Sequence, residues 1–108
     1  MELVMVYITT SSYSEAKSIG EAIVSERLAA CVNILEGMHA IYWWEEKIQK
    51  EQEVIIIAKT RKELLSNLIE KVRSMHSYTC PCILSLPITG GYSPFLEWIS
   101  LETLKGRH

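Results

Sequence analysis

The stretch Val54-Ile55-Ile56-Ile57-Ala58, read with Ile41-Tyr42-Trp43-Trp44 before it and Leu64 to Met75 after it, decides the fold. An unbroken apolar run bounded by polar residues reads as a buried strand. Adjacent residues of a strand point to opposite faces, so residues 54–58 put apolar side chains on both sides of a sheet, and so do Trp43 and Trp44. Downstream, Leu64, Leu65, Leu68, Ile69, Val72 and Met75 recur at helical spacing and mark an amphipathic helix. Thr60, followed three residues later by Glu63, has the pattern of a capping box that would start it.

Outward from this centre, Leu3 to Thr9 is rich in β-formers, with Val4, Val6 and Ile8 alternating with Met5 and Tyr7. Ser12 and Glu15 form a second capping-box pattern. Ala16, Ile19, Gly20, Ile23 and Leu28 then predict a helix to about Ala29. Cys31 to Ile48 reads as extended, interrupted at Glu36-Gly37, and the polar Gln49-Lys50-Glu51-Gln52 reads as the turn into residues 54–58. After the second helix, Pro81 opens an extended run from Cys82 to Thr89, closed by Gly90-Gly91. Ser93-Pro94 places a capping residue before a proline at the first helical position, predicting a short helix from Phe95 to about Leu104. The order β-α-β-β-α-β plus a terminal helix predicts a ferredoxin-like α+β fold, an antiparallel sheet with two helices on one face. A two-layer α+β sandwich with other strand pairings is the competing arrangement.

The chain has 108 residues, 48% hydrophobic and 22% charged, with no repeat or linker, so one domain over residues 1–108 is expected. All 13 acidic residues are Glu, and against 11 Lys and Arg they leave a net charge of −2. That excludes a strongly basic nucleic-acid surface, and no nucleic-acid partner is expected. No apolar run approaches the ~18–20 residues that span a bilayer, so no membrane partner is expected. The first residues have neither a basic n-region nor a small-residue cleavage site, so no signal peptide is expected. Three Cys cannot build a disulfide scaffold, and a reducing cytosol is the expected compartment.

Two helices cover one face of a four-stranded sheet, so the other face should be polar. It is not. A helix of ~15 residues reaches about 22 Å, whereas a hairpin built from residues 39–48 and 52–60 would run roughly 30 Å. At ~25 cal/mol per Å² of apolar area, one uncovered aromatic side chain favours burial by several kcal/mol. An obligate oligomer is expected, with the terminal helix, through Phe95, Trp98 and Ile99, as the competing cover.

The residues able to carry chemistry are Cys31, Cys80, Cys82, His39 and His76. Two thiolates at i and i+2 in Cys80-Pro81-Cys82 suit a soft ion, but the paired spacing of a structural zinc site is absent. Cys82 also alternates with Leu84, Leu86 and Ile88, and Cys31 lies between Ala30 and Val32, so both read first as small buried hydrophobes and only second as ligands. His76 ends the second helix, where a capping imidazole competes with a ligand. His39 reads as a loop residue and His108 as the chain end. There is no Asp, no phosphate-binding Gly-rich loop and no nucleophile constellation, so no enzyme is expected.

Glu26-Arg27-Leu28-Ala29-Ala30-Cys31-Val32-Asn33-Ile34, Ile41-Tyr42-Trp43-Trp44-Glu45, Lys59-Thr60, His76-x-Tyr78-x-x-Pro81-x-Ile83 and Trp98-Ile99 occur in an order that resembles the CutA divalent-cation-tolerance family over about residues 3–103. The resemblance implies a ferredoxin-like protomer in a tight homotrimer, a role in the response to divalent metal ions with copper binding in some members, and no catalytic activity. Cys31 and His76 match as the expected metal contacts, with Cys82 as a further ligand near a subunit boundary. Tyr42, Trp43, Trp44 and Tyr78 match the aromatic blocks, and Glu53, Lys59 and Pro81 fall at other motif positions. Two alternatives stand beside it. One is a small-effector signalling module, similar to the trimeric nitrogen-regulatory proteins, that would hold an anion with Lys47, Lys59 or Arg61. The other is a structural protein that presents a surface to a partner.

Overall fold

Val4, Val6 and Ile8 point to one side of a central strand, β1 (Leu3–Thr10), in a computed structural model that describes residues 2–104. Helix α1 (Tyr13–Ser25) follows, then β2 (Cys31–Trp44), β3 (Lys47–Arg61), a 3-10 turn (Lys62–Leu64), α2 (Leu65–Met75), β4 (Ile83–Ile88) and α3 (Ser93–Leu104). The four strands lie in the order β2-β3-β1-β4 with every neighbouring pair antiparallel. This is the expected ferredoxin-like arrangement.

The first capping box forms: the Ser12 hydroxyl accepts the Glu15 N–H, and the Glu15 carboxylate accepts from the Ser11 N–H and hydroxyl. α1 ends at Ser25 rather than near Ala29, because Arg27 takes a left-handed φ of 62° and the Leu28 and Ala29 N–H groups both close onto the Ile23 carbonyl. At Gly20 an added Cβ would meet Val32 Cγ2 at 3.1 Å, so glycine lets α1 lie close on β2.

The second capping box does not form. Thr60 remains in β3, paired with Val4, and its side chain is buried; α2 starts after the 3-10 turn with no side-chain cap at Leu64. Strand pairing with β1 holds the backbone extended to Arg61, which overrides the local capping signal.

The hairpin turn also lies elsewhere than expected. Trp44 pairs with Lys47, leaving Glu45 and Glu46 as a two-residue turn with φ of 50° and 63°. Gln49 to Gln52 instead pair with Tyr42, Ile41, Ala40 and His39. The interruption at Glu36-Gly37 is a one-residue bulge between Leu35 and Met38, with Gly37 at φ 76°.

α1 and α2 cover the face carrying Val4, Val6, Ile8, Val54, Ile56 and Ala58, which with Ile19, Ile23, Leu68 and Val72 form the core. The opposite face is divided. Arg61 points to it and is buried there, its Nε donating to Thr103 Oγ1 at 3.0 Å and its Nη2 to the Thr103 carbonyl at 3.1 Å. These bonds seat α3 over β1 and β3 at one end, with Ile99 buried beneath it. The terminal helix therefore covers part of the second face only. Beyond both helical layers, Ile41 and Trp43 are each 70% exposed and Ile48 is exposed with them, while on the edge strand β4 Leu84 and Leu86 are also exposed.

Candidate functional site

The uncovered half of the second face holds a cleft of about 780 Å³ between the β2-β3 stalk and the segment that joins α2 to β4. β1 contributes Tyr7 and Thr9, and β3 contributes Glu51 and Glu53 at alternate positions of one face. The one-residue bulge in β2 shifts its alternation, so that Met38 and Tyr42 line the cleft opposite them. The wall across from the stalk is Ser77 to Cys80 together with Cys82.

Each carboxylate holds a phenol. The Tyr78 hydroxyl donates to Glu53 Oε2 at 2.6 Å, and the Tyr42 hydroxyl donates to Glu51. Glu53 is only 7% exposed. Burial, the bond to Glu53 and the nearby negative charge all push the Tyr78 phenol well above its ordinary value. The bond to Glu51 and the same charges push Tyr42 up to about 12.

The wall itself is tied to β1 and α1. His76 Nε2 donates to the Thr9 carbonyl at 2.7 Å, and His76 Nδ1 accepts the Tyr78 N–H at 3.1 Å. A carbonyl can only accept and an N–H can only donate, so these partners fix the Nε2–H tautomer. Glu15 Oε2 accepts the Ser77 N–H at 2.8 Å. Burial raises the Glu15 carboxyl, but its hydrogen bonds from Ser11 and Ser77 outweigh that and hold it below its ordinary value. The Thr9 N–H donates to the Cys82 carbonyl at 3.3 Å, immediately before β4 begins. Burial pushes the Cys82 thiol up; a hydrogen bond with Thr9 opposes this, and Glu53 and Cys80 add to it.

The structure brings two of the three expected metal contacts to this region and leaves the third apart. Cys82 lines the cleft. His76 lies behind the wall with its side chain fully buried and both ring nitrogens engaged. Cys31 is on β2 opposite Lys59, which pairs onward with Met5, whereas Cys82 lies against Thr9 further along β1. The Cys31 sulfur is 3.8 Å from Lys59 Nζ. Among the described residues, no three His, Cys or Glu side chains are grouped so as to hold a metal ion. His39 lines the cleft, and His108 lies outside the described residues.

The cations proposed for an anionic effector do not converge. Lys59 is bonded to Asn33, Arg61 to Thr103 and Glu63, and Lys47 sits beside the hairpin turn. Sequence reasoning placed Glu53, Tyr42 and Tyr78 only at motif positions and gave Glu51 no role. Alternation of Glu51 and Glu53 on one strand face was the available signal, but the displaced turn hid it.

The family model described as CutA1 divalent ion tolerance protein matches residues 4–102. The chain belongs to the CutA1 family. It is 44% identical over 100 residues to the divalent-cation tolerance protein CutA of Archaeoglobus fulgidus, covering 93% of this chain and 96% of that one. It is 43% identical over 100 residues to the chloroplastic CutA 1 of Oryza sativa. The chain spans only a little over half (56%) of that plant relative, while the match covers 93% of this chain. Crystallised CutA1 from Oryza sativa superposes with a TM-score of 0.93 at 40% identity, covering 98% of this chain and 97% of that one. A CutA structure from Archaeoglobus fulgidus, described as periplasmic, gives 0.91 at 40% identity, covering 94% and 98%. These relatives are ascribed to different compartments, so location is not constant in the CutA1 family. Among the described residues, no helix is long and apolar enough to cross a membrane.

Proposed function

We propose that this protein is a metal-responsive binding protein that takes up metal cations in the cleft between the β2-β3 stalk and the segment before β4, as a homotrimer and without catalysis. One observation carries the reading: Glu51, Glu53, Cys80, Cys82 and His39 line the cleft, and none of the described lining residues is a Lys or Arg. Two carboxylates in a partly dry groove set up a negative potential that attracts cations and repels anions. The donor set is chemically suited to a metal, with carboxylate oxygens for harder ions and sulfur for softer ones. The same inventory disfavours an anionic effector. Of the expected ligands, Cys82 fits this cleft directly. His76 would have to give up its bond from the Tyr78 N–H, and Cys31 would require a second site or another subunit.

Assembly is supported by the exposed Ile41, Trp43, Ile48, Leu84 and Leu86, a larger apolar surface than scattered single residues leave. Three copies is the number that the family resemblance implies. Three free cysteines suit a reducing compartment, for which we propose the cytosol.

The test is calorimetric titration of Cu²⁺ and Zn²⁺, with a nucleotide and a dicarboxylate as anionic controls, into the wild type and into a Glu51→Gln, Glu53→Gln variant. Saturable cation binding that weakens at least tenfold in the variant supports the reading. Saturable binding of an anion with no cation uptake overturns it.

A further inference from the structure

Cys80 and Cys82 flank Pro81 and both line the cation cleft, Cys80 exposed and Cys82 half-buried. Pro81 locks its own φ and keeps Cys80 out of the helical region, so the Cys80-Pro81-Cys82 backbone loses little freedom when both sulfurs engage one ion. Cα atoms two residues apart lie at most about 7 Å apart, and Cys80 lies near enough to act on the Cys82 thiol, so the two side chains can close on a single atom between them. The thioether of Met38 lines the same cleft. No third His, Cys or Glu completes a cluster among the described residues, so those residues of one protomer do not offer the tetrahedral enclosure that structural zinc demands. Low coordination by soft sulfur is what it does offer, and that is the preference of a d¹⁰ monovalent ion.

We infer that Cys80 and Cys82 form a two-sulfur site for a soft monovalent cation, Cu(I) or its redox-inert counterpart Ag(I), at the mouth of the cleft. The inference rests on the cation reading of the cleft and narrows it. The ion arrives as Cu(I), each thiol loses its proton to solvent, and two S–Cu bonds form with no change in oxidation state. The Tyr78-Glu53 bond and the anchoring of Cys82 to Thr9 hold the wall in place while the sulfurs bind. Glu51 and Glu53 offset the ion's charge from the opposite side of the cleft without having to ligate it.

The test is anaerobic titration of the full chain with Cu(I) against a chromophoric Cu(I) chelator, repeated with Ag(I) and followed by sulfur-to-metal charge-transfer absorbance. The wild type is expected to take one ion per chain. Cys80→Ser and Cys82→Ser are each expected to lose at least a hundredfold in affinity together with the charge-transfer band, while Cys31→Ser keeps both. Because Cys80 is exposed, Cys80→Ser alone decides the matter should Cys82→Ser fold poorly. Cu(I) affinity unchanged in Cys80→Ser, or lost only in Cys31→Ser, overturns the two-sulfur site. If that happens while Zn²⁺ binding still depends on Glu51 and Glu53, the cation cleft stands and only its soft-ion assignment falls. A wild type that binds neither kind of ion defeats both.

Discussion

Thr60 occupies a fully buried position in β3, and its hydroxyl finds no hydrogen-bond partner among the described residues. An orphaned buried hydroxyl costs about 1–3 kcal/mol, and valine keeps the shape and the β-preference without it. Thr60→Val is therefore expected to stabilise the protein by roughly 1 kcal/mol, read as a higher midpoint in urea with an unchanged slope. A destabilised variant would mean that the hydroxyl is paired in solution. Tyr42 supplies the contrasting case, a polar group held by its partner. Its phenol is raised from 10.0 to about 12 by the bond to Glu51. A phenol whose pKa is higher in the folded state adds stability that is complete below its unfolded value and fades as pH rises through the folded one. The window here is therefore pH 10 to 12. Ultraviolet absorbance titration of Glu51→Gln should show one phenol ionising earlier, towards 10, and alkaline unfolding of that variant should lose its dependence on this window. An unchanged titration would rule out the Tyr42-Glu51 bond.

At the level of elements, the β2-β3 hairpin is held by cross-strand pairs such as Trp43 with Ile48 rather than by its turn. Glu45 and Glu46 both adopt left-handed φ, a conformation that costs a residue with a Cβ roughly 1–2 kcal/mol and that Asn-Gly adopts readily. Replacing Glu45-Glu46 with Asn-Gly is expected to stabilise the protein by about 1–2 kcal/mol, measured by thermal unfolding at fixed protein concentration. No change would mean that the tip relaxes out of this turn in solution. The same hairpin shows why some elements could be read from sequence and others could not. α2 and β1 carry periodic apolar faces, and that pattern is local. The turn carries no turn residues, because its position is set by register along fifteen residues of β3. Thr60 and Glu63 imitate a helix start, but pairing with Val4 keeps the chain extended there. Local chemistry was legible where it agreed with the tertiary pairing and misleading where it did not.

The whole molecule measures 44 × 26 × 21 Å, its long axis drawn out beyond what three helices can shield. The two-sided apolar character of the sheet was readable from residues 54–58 and from Trp43-Trp44, because alternation alone assigns neighbours to opposite faces. The cleft was less readable. It depends on the bulge that turns Met38 and Tyr42 towards Glu53 and Glu51, and on the long-range bonds by which His76 holds the wall to Thr9. Cys31 and Cys82 are similar in type and local setting, yet strand order and register together separate them. Assembly is where the uncovered surface has its largest consequence. Ile41 and Trp43 are mostly wetted in one protomer, so a charge at either position stays hydrated in an isolated chain and loosens at most the end of the hairpin. In the proposed homotrimer the same charge would be driven into an apolar contact, where an unpaired ion is strongly unfavourable. Ile41→Lys combined with Trp43→Glu is thus expected to shift the sedimenting species from three chains to one. Wild-type Tm should rise with protein concentration, as mass action requires of an assembly that stabilises its subunits, and the variant's should not. A wild type that sediments as one chain, with a concentration-independent Tm, would show that this surface stands open to water and that the protomer is stable without a partner.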